Sequence, residues 1–425
     1  MEVKTMKKKL VSLTCLLLAS ALLSACGGAA EKGNSVDLTQ DLYAEIPENT
    51  ITCEELENGY IEATDFAVKL FQENVKSEGG NVLVSPISVL AALGMTANGA
   101  SGKTLAQMEE VFGLSRSELS CFMRFYMNSL ESGDNYKLGF ANSVWFKDKN
   151  GLEIDSVFLQ ANKNFYDASI YKSAFNSQTL EDINAWVSGK TDGLIENVLD
   201  EISPDAIMYL INALVFDAEW ESIYEEYQVA EGTFTAENGK TQTADFMHSM
   251  ESFYLEDENA TGFIKYYSGR KYAFAALLPN EGTTVSEYLE TLTGQSLLYT
   301  LEGAQQGNVD AAIPKFETEF EVEMSGSLKK MGITEAFKPA SADFSAIGKS
   351  GDGNIFISAV IHKTYISVAE QGTKAGAVTV VEMRDSGALI LEDIKTVYLD
   401  RPFVYMIIDT EASLPLFIGT LESMA

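Results

Sequence analysis

Apolar positions recur along this chain in two periods, helical and alternating, that follow one another irregularly from about residue 60 to the C-terminus. Over residues 62–74, Phe66, Leu70 and Phe71 fall at helical spacing and predict an amphipathic helix. Residues 81–84 (NVLV) read as a short strand, and Ser85-Pro86 then offers a capping side chain and a first-turn proline for a helix running to about Ala97. Gly99 and Gly102 break that helix, and residues 104–112 predict another, closed by Gly113. The run 207–216 (IMYLINALVF) is almost continuously apolar, the pattern of a central strand covered on both faces. Asn212 is its one strongly polar side chain, and a buried amide demands polar partners. Residues 272–279 and 308–316 read as strands, 325–331 as a helix ended by Gly332, and 403–408 with 414–420 as a buried hairpin. This mixture without regular strand–helix alternation predicts an α+β fold, and no internal repeat divides residues 55–425, so they read as one domain.

Composition narrows the function. Of 425 residues, 46% are hydrophobic and 22% charged, which excludes disorder and collagen-like repeats. There are 30 Lys+Arg against 62 Asp+Glu, a net charge of −32. Without residues 1–25, which hold four Lys and one Glu, the balance is 26 against 61, or −35. Such a surface repels phosphate backbones, so nucleic acid is excluded as a partner. Imidazole chemistry has only His248 and His362 to draw on, and neither lies in H-E-x-x-H, beside a G-x-S-x-G, or in a Cys/His cluster. Both read as structural; the chain is expected to be neither an enzyme nor the holder of a metal or cofactor. Residues 97–104 (ANGASGKT) approach a phosphate-binding loop, but the preceding segment reads as a helix rather than the strand such a loop requires, so a helix-to-helix turn is expected.

The N-terminus reads as an address. Lys4, Lys7, Lys8 and Lys9 precede an apolar run over residues 10–25, shaped like a signal peptide and short for a membrane span. Leu23-Ser24-Ala25-Cys26-Gly27 resembles the lipobox of bacterial lipoproteins, which implies acylation at Cys26. The expected layout is a signal over residues 1–25, a small polar tether over 26–54 and a domain over 55–425, held outside the bacterial cell by a lipid anchor or secreted. Cys53 and Cys121 have no C-x-x-C spacing; they either pair after export or stand as two free thiols.

Residues 366–391 (ISVAEQGTKAGAVTVVEMRDSGALIL) are the unusual stretch. After Glu370-Gln371-Gly372, the alternate positions Thr373, Ala375, Ala377, Thr379, Val381 and Met383 are small or apolar, the period of a strand with one buried face. Small side chains there also suit a segment that slips between existing strands, and pattern alone does not separate a resident strand from one in waiting.

Over roughly residues 60–421 the chain resembles the serpin family. The resemblance is carried by NVLVSPIS (81–88), NSVW (142–145), INAWV (183–187) with TDG (191–193), and INAL (211–214) with Phe216 and Trp220. It continues through LLP (277–279), IPKF (313–316), MGI (331–333) with Phe337, ADF (342–344), RPF (401–403) and LFIG (416–419), in the family's order. It implies three β-sheets, about eight or nine helices, and an exposed reactive loop that a serine protease attacks as substrate. The cut loop then enters the central sheet as a new strand, a case of strand addition that releases stored strain, and distorts the protease before the acyl-enzyme is hydrolysed.

Carried over residue by residue, Ser85, Pro86, Ser88, Asn212 and His362 match the shutter beneath the central sheet, with Asn212 and His362 expected to hydrogen-bond. Trp220, Lys315 and Glu370 match the breach, where insertion starts, with an ion pair expected between the last two. Glu370, Gly372, Thr373, Ala375, Gly376, Ala377, Val378 and Thr379 match the hinge; Lys374 departs from the usual acidic residue but is expected to face outward. Counting forward from the hinge places the reactive bond at Ser386–Gly387, counting back from Pro402 points nearer Leu391, and the window is residues 383–391. Its small and aliphatic residues imply elastase-like or subtilisin-like targets, with the inhibitor a monomer consumed once. The alternatives are a serpin-fold protein that binds a partner or ligand without trapping proteases, or a cell-surface ligand-binding lipoprotein.

Overall fold

The structure is a computed structural model that describes residues 35–44, 57–130, 136–149, 151–349, 354–373 and 394–424. Cys26, Cys53, Ser386, Gly387 and the hinge residues Ala375, Gly376, Ala377, Val378 and Thr379 lie outside the described residues. Among those described there are nine α-helices and three sheets of seven, nine and two strands. Two helices matter most here, α1 (Glu57–Glu78) and α2 (Pro86–Ala97).

The seven-stranded sheet comprises β1 (Val36–Asp37), β2 (Tyr136–Lys147), β3 (Ser169–Ser173), β4 (Met208–Glu219), β5 (Phe316–Glu323), β6 (Ala359–Ala369) and β7 (Gly372–Thr373). Its spatial order is β1-β3-β2-β4-β7-β6-β5, with β4 also pairing β6 directly. Alternation in β4 explains its continuous apolar run. Tyr209, Ile211, Ala213 and Val215 face a smaller core with Ile183 and Val187 of the helix Ser177–Lys190. Met208, Leu210, Leu214 and Phe216 face the main core, where α2 lies. Asn212 shares the parity of this second set. α2 is buried at every position from Pro86 to Ala97, as expected of a helix apolar all round. At the sheet's edge, β5 alternates buried residues with exposed Glu317, Glu319, Glu321 and Glu323, charges that discourage a further strand from pairing there.

Several predicted elements differ in extent. The first helix runs from Glu57 to Glu78, four residues or more beyond the predicted 62–74 at each end, and the added turns bring Val75 into the core and Tyr60 against it. The predicted strand over 308–316 is two strands, Gln305–Pro314 in the nine-stranded sheet and β5 in the seven-stranded one, with the chain crossing between sheets at Lys315. Ser85 precedes α2 in extended conformation, but its side chain makes no capping hydrogen bond. Residues 97–104 form the expected turn between α2 and the helix Gly102–Phe112, and Lys103 reaches Glu335 at 3.1 Å. Cys121 is disulfide-bonded, with its partner outside the described residues, so the alternative of two free thiols does not hold for it.

Candidate functional site

A polar row crosses the sheet at mid-height. Asn142 of β2 stands opposite Asn212 of β4, and Asn212 opposite His362 of β6, while Ser85 and Ser88 approach from the start of α2. The Ser88 hydroxyl donates to Asn212 Oδ1 at 2.7 Å, and His362 Nδ1 meets the same oxygen at 2.5 Å. Asn212 Nδ2 donates to Asn142 Oδ1 at 2.5 Å. His362 Nε2 accepts from the Ser85 backbone N–H at 3.0 Å, which assigns the ring's single proton to Nδ1. Burial pulls the His362 pKa down to about 3, so the ring is neutral. Pro86 occupies the first turn of α2 and aims that turn at the row.

These bonds span a seam. The parallel ladder between β4 and β6 runs from Tyr209–Ala359 to Leu214–Thr364 and includes the Asn212–His362 rung. An Asn212→Ala variant should therefore lose about 2 kcal/mol of stability, because the Ser88 hydroxyl, His362 Nδ1–H and Asn142 Oδ1 lose a buried partner together. Chemical denaturation measures this, and unchanged stability would show that the row holds nothing. Asn142 was not among the predicted site residues, although its segment carried the resemblance; its period-2 position opposite Asn212 becomes visible only with strand register.

Above the row the seam is already parted. Thr373 of β7 stands between Ala218 of β4 and Val368 of β6, antiparallel to both. Gly372, the neighbouring rung, lies so close to β4 that an added Cβ would fall 2.0 Å from the Ala218 carbonyl oxygen. The Thr373 side chain is buried and its hydroxyl meets that of Tyr267. Trp220 holds the turn before it, donating from its backbone to the Gln371 carbonyl at 2.9 Å and from Nε1 to the Ala369 carbonyl at 2.8 Å. The Tyr224 N–H donates to the Glu370 carbonyl at 2.9 Å. Lys315 and Glu370 form the expected ion pair at 2.8 Å; burial, the largest single influence, raises the Glu370 pKa, but the Lys315 hydrogen bond, a hydrogen bond from the backbone N–H of Glu370 and the Lys315 charge together hold it below its ordinary value. Both side chains are about one-third exposed, so the pair contributes little stability. The structure thus brings together Ser85, Ser88, Asn212 and His362 at the row, and Trp220, Lys315, Glu370, Gly372 and Thr373 at the top of the seam. Tyr224, which holds that turn, and Tyr267, which meets Thr373, were missed; as tyrosines in largely polar sequence they carry no local signal of burial.

Comparison with known proteins gives the class. The profile of the Serpin (serine protease inhibitor) family matches residues 62–424, and the chain belongs to that family. An uncharacterized serpin-like protein of Thermococcus kodakarensis is 29% identical, over 98% of this chain and 99% of its own length. Human Serpin B3 is 28% identical, over 85% of this chain and 98% of its own. Among solved structures, the thermophilic serpin tengpin in its native state is similar with a TM-score of 0.86 at 44% identity, covering 92% of this chain and all of that one. Tengpin in its latent state gives 0.76 at the same identity, so the fold lies nearer the native form. The fold, with nine helices and three sheets among the described residues, is that of the serpins, a family whose members are in general protease inhibitors rather than enzymes.

Proposed function

We propose that this protein is an irreversible suicide-substrate inhibitor of serine proteases, elastase-like or subtilisin-like, acting outside the cell from a lipid anchor at Cys26 or after secretion. The observation that carries the reading is β7, a strand already lodged between β4 and β6 at the top of the seam. Its register supports the rest. Thr373 is level with Ala218 and Val368, so a strand continuing downward would bring residue 379 level with both Asn212 and His362. Thr379 has the same parity as the buried Thr373, and its hydroxyl would replace the bond between the amide and the imidazole that insertion breaks. The same count brings residue 383 level with Met208, the first residue of β4, and leaves Ser386 just beyond the sheet.

The chemistry follows. The protease serine attacks the Ser386 carbonyl carbon, the bond to Gly387 breaks, and the new amine leaves with the proton delivered by the protease histidine. The acyl ester, carried by a strand of about eleven residues, would then travel roughly 36 Å along the seam. Distortion of the protease oxyanion hole on arrival would stop deacylation. The acidic surface favours basic targets by electrostatic steering that salt weakens.

Mixing the mature protein with elastase-like, subtilisin-like, chymotrypsin-like and trypsin-like proteases should give a covalent complex that survives denaturing gels, and mass spectrometry of the released C-terminal peptide should place the cut at Ser386–Gly387. Clean cleavage by every protease with no complex would instead favour a non-inhibitory binding protein. Human thyroxine-binding globulin, 25% identical with a TM-score of 0.76 over 87% of this chain, has such a ligand-bound structure.

A further inference from the structure

Lys265 lies on the strand Ala260–Tyr266, outside every site residue considered above, and is only 2% exposed. Its ammonium is 3.0 Å from Glu251 Oε1, 4.3 Å from the centre of the Tyr224 ring and 5.4 Å from that of Trp220. A buried ion pair is often less favourable than two apolar side chains of similar volume, so general stability is a poor reason for this one. Its neighbours suggest a better reason. Tyr224 and Trp220 are the two residues whose N–H groups grip the carbonyls of Ala369, Glu370 and Gln371, the turn leading into β7. The Tyr224 hydroxyl shares a hydrogen bond with Ser249 at 3.1 Å, and Ser249 donates to Glu251 at 2.6 Å, which returns the chain of contacts to Lys265. Beside it opens a polar cavity of about 300 Å³ lined in part by Gln228, Ser252 and Arg270. Packing is therefore incomplete on that side, and charge, through cation–π contact with both rings, holds them in place.

We propose that Lys265 is a positioning residue for strand insertion: held by Glu251, its ammonium fixes Trp220 and Tyr224, and through them sets how fast the seam between β4 and β6 admits a new strand. The inference rests on the insertion reading above, and its test is separable from trapping. The probe is a synthetic peptide with the sequence of residues 374–386, annealed to the intact full-length protein, with uptake followed by native gel mobility and by the rise in thermal stability. The Lys265→Met/Glu251→Leu double variant, which leaves no buried charge unpaired, is expected to take up the peptide about tenfold faster than wild type, the factor that cation–π contacts of ordinary strength supply. Tyr224→Leu should accelerate uptake similarly, and in the double-variant background should add little, a non-additivity that independent structural losses would not produce. Should the double variant fail to fold, Tyr224→Leu alone and Lys265→Arg, expected to stay near the wild-type rate, decide the matter. Uptake within twofold of wild type in the variants that lose the contact, or a wild type that takes up no peptide, would overturn the proposal. A wild type that forms no covalent complex while the uptake rates shift as expected would instead remove the inhibitory reading and leave this one standing.

Discussion

A Thr373→Arg variant should be cut at the same bond by the same protease and yield almost no covalent complex. Thr373 is 1% exposed, with Ala218 on one side, Val368 on the other and the Tyr267 hydroxyl against its own. A guanidinium there would lose its water at a cost of several kcal/mol, so the variant should keep β7 out of the seam of the uncut protein and meet that cost when the cut strand has to enter. Insertion competes with deacylation, so every 1.4 kcal/mol or so added to the insertion barrier diverts the acyl-enzyme tenfold toward hydrolysis. The expected outcome is at least a hundredfold fall in the ratio of complex to cleaved inhibitor, read by densitometry of denaturing gels, with the rate of cleavage preserved. Lys374→Glu is the control: in an inserted strand, alternation from Thr373 would put residue 374 on the opposite face, and this change should leave trapping intact. Undiminished complex from Thr373→Arg would mean that the strand does not enter through this seam.

How far the sequence foretold this site depends on which physical signal each residue carries. Asn212 declared itself, because a lone amide in a run of apolar residues must find partners, and the row supplies Ser88, Asn142 and His362. The strand 272–279 and the helix 325–331 were legible to the residue, the first from an unbroken apolar run and the second from its terminal glycine. The break at Lys315 was not, since a strand that leaves one sheet for another keeps its extended pattern while the partners change. Ser85 misled for a related reason: a serine before Pro86 predicts a side-chain cap, yet what the fold uses is its backbone N–H, directed to His362 across 277 residues of chain. Lys265 and Glu251 lie fourteen residues apart on neighbouring strands, and a lysine in a moderately apolar strand reads as solvent-facing until the rings above it are placed. Resemblance to a family supplied roles for the shutter and breach residues, whereas the seam's register, from which the proposed level of residue 379 is counted, required the strand pairings.

Acid should loosen the native sheet through His362. The ring's pKa is about 6.5 when the chain is unfolded and is pulled down by burial to about 3 in the folded protein. Above about pH 6.5 the ring is neutral in both states and the stability of the closed row is fully present. As pH falls below that value the unfolded chain binds a proton that the folded chain refuses, so stability drops by roughly 1.4 kcal/mol per unit, approaching about 5 kcal/mol in all by pH 3. The direction agrees with the geometry, since a second proton on Nε2 would confront the Ser85 N–H at 3.0 Å and no carboxylate joins the hydrogen bonds of the row to receive it. Many carboxylates titrate over the same range, so the measurement is a difference: denaturant unfolding of wild type and of His362→Gln between about pH 7.5 and pH 4.5. Glutamine can donate to Asn212 and accept from Ser85 but does not titrate, and His248 is present in both proteins. The stability advantage of wild type should shrink steadily below pH 6.5, and an advantage that stays constant would place the proton elsewhere. Because the Asn212–His362 rung closes the ladder that an entering strand must part, uptake of the loop peptide should quicken more steeply with falling pH in wild type than in His362→Gln.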